Sequence, residues 1–283
     1  MAVVGLLVAL GLLYVVYRKM QAANQLQGFM WKPFVTDRAV WRDYLLPGLW
    51  GTIKAAIISI VLAGAFGLLF GIGRLSTVRV LRWVSGVVVE FFRAVPVLIM
   101  MIFAFGVYTR NSVFANDINP LAAVVTGLTL YNGAVIAELV RSGVFALPAG
   151  QGEAGLSIGL TPGQVLRSIQ LPQALTAMLP ALIGQFVTIL KDSALGYQVL
   201  YSSELLSQSK ILGSNFANTV PAYLVAAILF ITMNYLLSRL AVYVEKRLSR
   251  RGRTTLHATG PVLGDAVPEP GPPVSAGSAG LSR

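Results

Sequence analysis

Long apolar runs alternate with short polar and basic stretches along this chain, and the longest runs lack the polar rhythm of a half-buried helix or strand. Leu49 to Ile72, Val84 to Tyr108, Leu121 to Val140 and Pro221 to Val242 are each long enough to cross a hydrocarbon core, which takes roughly 20 residues of helix. A further run starts near Leu175 and ends between Leu190 and Leu200. Ala2 to Tyr17 is shorter, has no basic segment before it and no small-x-small cleavage site, so it reads as a membrane helix rather than a removed signal. The pattern predicts an all-α integral membrane protein with five core helices and one N-terminal helix, divided into residues 1–20, a linker at 21–48, a core at 49–245 and a tail at 246–283.

The polar stretches set sidedness. Arg74, Arg79 and Arg82 follow the second span, Arg141 and Arg167 flank the long loop after the fourth, and Lys246, Arg247, Arg250, Arg251 and Arg253 follow the last. Lysine and arginine collect on the cytoplasmic side, so these loops and the C-terminus are expected inside, and Tyr201 to Thr219 outside. The linker fits awkwardly. Counting spans places it outside, yet Arg18, Lys19, Lys32, Arg38 and Arg42 lie within it or at its edge. A start upstream of Met1, with a basic segment of its own, would reconcile the two. Trp31, Trp41, Tyr44 and Trp50 are expected at the interface. From about Gly252 the chain is rich in Gly, Pro, Ser and Ala and is expected to be a disordered tail.

The loop from Leu147 to Pro172 is the most informative polar stretch. Pro148 suits the start of a short helix, and Gly159 offers a left-handed cap at its end. Thr161, Pro162 and Gln164 make a capping box for a second helix, expected to run to about Ile169 and stop before Pro172. Each helix spans no more than about 15 Å, too short to cross a bilayer. A helix-turn-helix outside the membrane is predicted.

Composition narrows the function classes. Of 283 residues 12% are charged, and the mean hydropathy of +0.72 is that of a polytopic membrane protein. The absence of cysteine excludes disulfides, thiol catalysis and thiolate metal sites. The net charge of +11 follows from loop topology and calls for no nucleic-acid partner. His257, the one histidine, sits in the polar tail. Gly71-Ile72-Gly73 lacks the context of a dinucleotide site, and no Gly-x4-Gly-Lys-[Ser/Thr] occurs, so an ATP-driven activity needs its motor on another subunit. No catalytic constellation, metal site or cofactor site is expected.

Inside the spans, Gly64, Gly67 and Gly71 share a helix face and predict close packing, with a gating role as the alternative. Glu90/Arg93 and Glu138/Arg141 are i, i+3 pairs expected to form ion pairs, with a substrate role as the alternative. Lys191 and Asp192 point about 100° apart and cannot simply satisfy one another. A helix starting at Gln173 puts them near the outer interface, and one starting at Pro180 puts them near mid-membrane; pathway lining and structural pairing both stand. Gln185, Thr188 and Lys191 lie on one helical face, a lining suited to a zwitterion, with Asn132 a further candidate.

The order Glu153, Ala154, Gly159, Ile169, Leu171, Pro172 resembles the "EAA" cytoplasmic loop of permease subunits of ATP-binding-cassette importers. Gly155 departs from it, standing where the family has a second alanine, with a lower helix propensity that would loosen the helix. Glu90-Phe-Phe-Arg-Ala-Val-Pro96, Gly133-Ala-Val-Ile-Ala-Glu138, Gly150-Gln151, Leu171-Pro-Gln-Ala174 and Leu190-Lys-Asp-Ser-Ala-Leu195 are similar to phrases of the polar amino acid branch. The likeness runs from about Leu46 to Val242. FFRAVPVLIMMIF is most similar to glutamate-uptake permeases of high-GC Gram-positive bacteria.

This resemblance implies a type I importer-like permease bundle in a bacterial plasma membrane. Its implied partners are a second permease, identical or homologous, two cytoplasmic ATP-binding subunits and an extracytoplasmic amino-acid-binding protein, within membrane lipid. Gly152, Glu153, Ala154, Gly159, Ile169, Leu171 and Pro172 would couple the ATPases to transport. Arg93, Asn132, Gln185, Thr188, Lys191 and Asp192 would line the path, and glutamate ranks first as solute. The rival is an ion-coupled secondary carrier, but the inverted repeats and many spans common in carriers are not evident.

Overall fold

The computed structural model describes residues 2–253, and the expected disordered tail falls almost wholly outside them. The described chain is helical throughout: α1 (Ala2–Ala22), α2 (Gly28–Thr36), a π-helical turn (Val40–Leu45), α3 (Leu46–Arg74), α4 (Arg79–Ala94), α5 (Val97–Arg110) and α6 (Asn119–Phe145). There follow α7 (Gly150–Ser157), α8 (Pro162–Val165), a π-helical turn (Leu166–Gln170), α9 (Leu171–Ala177), α10 (Leu179–Asp192), a 3₁₀ turn (Ser193–Val199), α11 (Leu205–Asn215) and α12 (Thr219–Arg253). Four helices are long and apolar enough to cross a membrane, and up to six spans result if each of two bent pairs counts as one.

The bent pairs differ from the straight helices that hydropathy predicts. The third span is α4 plus α5, turned through 98° at Val95-Pro96. Val95 precedes proline and is driven into an extended conformation, φ −86° and ψ 127°, which ends α4. The fifth span bends by 59° where α9 gives way to α10 at Met178, next to Pro180, which has no N–H to donate.

α3 and α6 form the centre of the bundle. Gly67 and Gly71 of α3 face Ile136 and Val140 of α6 so closely that a Cβ on either glycine would fall within 3 Å of them. Helix packing is therefore the role of these two, whereas Gly64 faces open space. The core around them includes Met101, Val124, Leu128, Ile189, Leu190 and Tyr201.

A second cluster draws the linker into the fold. Phe34, Val40 and Leu45 pack on Leu205 and Leu212 of α11 and on Ala222 and Ala226 of α12. Asn218 donates to the Met30 carbonyl at 3.2 Å, Asn215 donates to the Tyr44 hydroxyl at 3.1 Å, and the Trp41 indole donates to the Phe34 carbonyl at 2.8 Å. The linker thus lies on the same side of the bundle as residues 201–219. α1 is exposed along nearly its whole length.

Candidate functional site

The loop between the fourth and fifth spans is built as its capping signals predict. Thr161 Oγ1 accepts from the Gln164 N–H, and Gln164 Oε1 accepts from the Thr161 N–H at 2.8 Å, closing the box at the start of α8. Gly159 has φ +89° and ends α7: its N–H reaches the Leu156 carbonyl at 3.0 Å, and the Leu160 N–H reaches the Gly155 carbonyl at 3.2 Å. That pair of bonds is a Schellman closure, which needs a left-handed residue at this position.

Two expectations for the loop are corrected. The second helix does not stop before Pro172. It widens into a π-helical turn over Leu166–Gln170 and continues as α9, with Pro172, which has no N–H to donate, directly after the wide turn. Nor does Gly155 loosen the hairpin. It is buried, and a Cβ there would lie 2.8 Å from Val165 Cγ2 and 2.9 Å from Ile169 Cδ1. The glycine lets the two arms touch.

Across the rest of the hairpin, Gln173 donates to Gln151 at 3.2 Å, and a Cβ on Gly152 would stand 3.2 Å from the Gln170 amide. Ile169 is half-buried against Gly155 of the first arm, Leu171 is half-buried against the bundle core, and Pro172 is exposed. Glu153 and Ala154 point outward, and beside them stand two exposed apolar side chains, Leu156 and Ile158, the latter 76% exposed. Neither was singled out in the sequence. A bare isoleucine on a polar loop is the available signal, and it shows only once burial is known.

Within the membrane the polar residues form two groups. Asn132 lies at the centre of α6, thirteen residues from Asn119 and thirteen from Phe145. It is fully buried and accepts a hydrogen bond from the Gln185 side-chain amide of α10. This pair ties the middle of α10 to the middle of α6, and Lys191, six residues beyond Gln185, lies about 9 Å further along α10 toward residues 201–219. Thr188 donates to the Gly184 carbonyl of its own helix at 3.1 Å. Lys191 is exposed, Asp192 is half-buried, and neither makes an ion pair among the described residues.

The second group joins both predicted i, i+3 pairs into one cluster. Glu138 receives Arg141 at 2.6 Å, and Glu90 lies 3.6 Å from Arg93. Arg74, at the end of α3, bridges them, 2.7 Å from Glu138 and 3.2 Å from Glu90. Three cations thus meet two anions. In the sequence Arg74 marks only topology, because its partners lie 16 and 64 residues away and no local spacing announces them.

Arg93 is held least tightly of the three, with contacts of 3.6 Å to both glutamates. It lines a cavity of about 460 Å³ together with Tyr131, Val135, Glu138 and Leu139. Positions 131 to 139 run from the centre of α6 toward its C-terminal end, so this cavity stands beside that half of the helix.

A family model described as "Binding-protein-dependent transport system inner membrane component" matches residues 63–250. The chain is 47% identical over 230 residues to the glutamate transport system permease protein GluD of Corynebacterium glutamicum, covering 81% of this chain and 83% of that protein. It is 35% identical over 207 residues to the probable glutamine ABC transporter permease protein GlnP of Bacillus subtilis, covering 72% and 93%. Among solved structures, an amino acid ABC transporter crystallised with histidines matches at a TM-score of 0.66 and 25% identity, covering 73% of this chain and 95% of that one. The MetNI methionine ABC transporter in an inward-facing conformation matches in fold, at a TM-score of 0.62 and 20% identity, covering 76% and 99%.

Proposed function

This chain belongs to the family of inner membrane components of binding-protein-dependent transport systems, and from that premise we propose that it forms the transmembrane path of an ATP-driven importer of glutamate. It is a multi-pass membrane subunit and not itself an enzyme; ATP hydrolysis belongs to a separate subunit. The observation that carries the reading is the hairpin at 147–172, a rigid element that turns Glu153, Leu156 and Ile158 outward.

In this reading two cytoplasmic ATPases dock on the hairpins of two permeases, and a binding protein delivers solute on the opposite side. Gly152, Glu153, Ala154 and Gly159 shape the docking arm, while Ile169, Leu171 and Pro172 tie it to the fifth span. ATP binding draws the ATPases together, the hairpin moves as one body because Gly155 lets its arms interlock, and the paired bundles switch between inward-open and outward-open. The C-terminus and hairpin are cytoplasmic, and residues 21–48 and 201–219 are extracytoplasmic.

Glutamate carries net charge −1 and needs a cation along its route. Lys191 offers one on the entry side of the midplane. Asn132 and Gln185 follow, and Arg93, loosely held beside Tyr131, offers a second on the exit side. An ion pair at about 4 Å is worth on the order of 4 kcal/mol at an effective dielectric near 20 before desolvation is subtracted, and glutamine, lacking the charge, gains none of it. Support for this solute comes from the relative named for glutamate.

The test is uptake of a panel of labelled amino acids into proteoliposomes holding the permease, its co-encoded ATPase and its binding protein. Glutamate accumulating only with ATP on the ATPase side is the expected result. Accumulation driven by a proton or sodium gradient without the ATPase would replace this reading with the ion-coupled carrier.

A further inference from the structure

A second cavity lies off the proposed path. It encloses about 800 Å³ where the end of α3, the α3–α4 connection and the end of α6 meet the second arm of the hairpin. Ser76 and Thr77 form part of its rim, and otherwise its walls are mostly apolar: Leu69, Ile72, Leu81, Phe145, Leu166 and Leu171. Leu69 is 68% exposed and Phe145 69%, so the cavity opens onto an exposed apolar flank of the bundle. Its one charged lining residue is Arg167, which is exposed and forms no ion pair among the described residues.

The start of α4 adds an independent observation. Arg79 and Arg82 flank Leu81 in its first turn, and no acidic residue stands there. A helix N-terminus carries partial positive charge, so two arginines and no acid leave a site that a negative group would stabilise. Both are exposed and unpaired among the described residues. An exposed apolar cleft with Arg167 on its wall, and with Arg79 and Arg82 on the same first turn of α4 as its lining residue Leu81, fits the chemistry of an acidic phospholipid: acyl chain in the cleft, phosphate on Arg167.

We infer that this cavity binds an anionic phospholipid of the inner leaflet, with its phosphate on Arg167. Half of the wall belongs to the hairpin and half to the bundle, so an occupant bears on the movement between them. Transport therefore depends on anionic lipid. The dependence on coupling rests on the hairpin's proposed role, whereas the binding site itself does not.

Two measurements test it, both with phosphatidylglycerol as probe. Native mass spectrometry of the purified permease counts retained phosphatidylglycerol in wild type, Arg167→Gln and Arg167→Lys. ATP-driven uptake by the assembled importer is then followed in phosphatidylcholine vesicles of rising phosphatidylglycerol content. One interfacial cation contributes enough to change lipid affinity about fivefold. Arg167→Gln should lose retained lipid to that extent and need correspondingly more phosphatidylglycerol for half-maximal uptake, and Arg167→Lys should recover both. Equal retention by wild type and Arg167→Gln would overturn the site. So would release of the ATPase from Arg167→Gln in both lipids, which would mark Arg167 as a protein contact. Retention that follows Arg167 without ATP-driven uptake in any lipid would support the site and count against the importer reading instead.

Discussion

Replacing Gly155 by alanine restores the residue that similar permease loops carry, and the geometry predicts harm rather than benefit. The new Cβ would lie 2.8 Å from Val165 Cγ2 and 2.9 Å from Ile169 Cδ1, about 1 Å inside a comfortable carbon–carbon contact. Ile169 presents the far end of a flexible chain and can rotate away. Val165 cannot: it is β-branched and 4% exposed. Overpacking of this kind costs roughly 1–3 kcal/mol, against a gain of about 1 kcal/mol in helix propensity, leaving a net loss of about 1 kcal/mol.

That loss raises the population of the opened hairpin about fivefold. Amide exchange across residues 150–172 in nanodiscs reads it directly, and Gly155→Ala should exchange about fivefold faster than wild type. Trimming the obstructing side chain, as Gly155→Ala with Val165→Ala, should recover more protection than the sum of the single variants predicts. Slower exchange in Gly155→Ala than in wild type would refute the interlocked-arm reasoning.

Other variants test other parts of the molecule. Lys191→Met should weaken glutamate uptake far more than glutamine uptake in proteoliposomes; an equal loss of both would make Lys191 structural, and undiminished uptake of both would remove it from the path. Arg74→Gln should lower the melting temperature of the purified permease by a loss on the order of 2 kcal/mol, since it unties α3 from both α4 and α6; an unchanged melting curve would show the cluster to be inert. Glu204 is buried at the start of α11, and desolvation pushes its carboxyl up to about 7 despite hydrogen bonds from the Leu206 and Ser207 N–H groups and the Ser207 hydroxyl. An acid raised by folding binds its proton more tightly in the native state, so stability should fall as pH rises from about 4.5 to about 7, by on the order of 3 kcal/mol, and level off above that range. Melting at pH 5 and pH 8 checks the sign, and Glu204→Gln should flatten the difference.

The capping box at Thr161, the left-handed Gly159 and both i, i+3 ion pairs could be read from the chain because each rests on residues within a few positions of one another. Hydropathy carried smoothly through Val95-Pro96 and Met178, so the two bends were missed although a proline stood beside each. Arg74, the Asn132–Gln185 pair and the anchoring of Phe34 join residues far apart in sequence, where no local pattern could point to them. Glu204 escaped notice because a polar outer segment suggests exposure, whereas here it folds against the mouth of α3, with Thr52 Oγ1 accepting from the Leu205 N–H at 3.0 Å. Gly155 shows the opposite failure. Local propensity suggested weakness, and only its contacts reveal why a larger residue does not fit.

The central claim is that the hairpin carries ATPase movement to the membrane path, and Gly159→Val in the reconstituted importer tests it most directly. At φ +89° a β-branched residue is strained, so the turn that ends α7 should re-form elsewhere and misdirect the docking arm. ATP-driven glutamate uptake and stimulation of ATP hydrolysis by the loaded binding protein are measured together, with the permease's insertion verified separately. The account predicts an inserted permease, uptake lowered about tenfold or more, and loss of stimulated hydrolysis. Uptake and stimulation equal to wild type would contradict it.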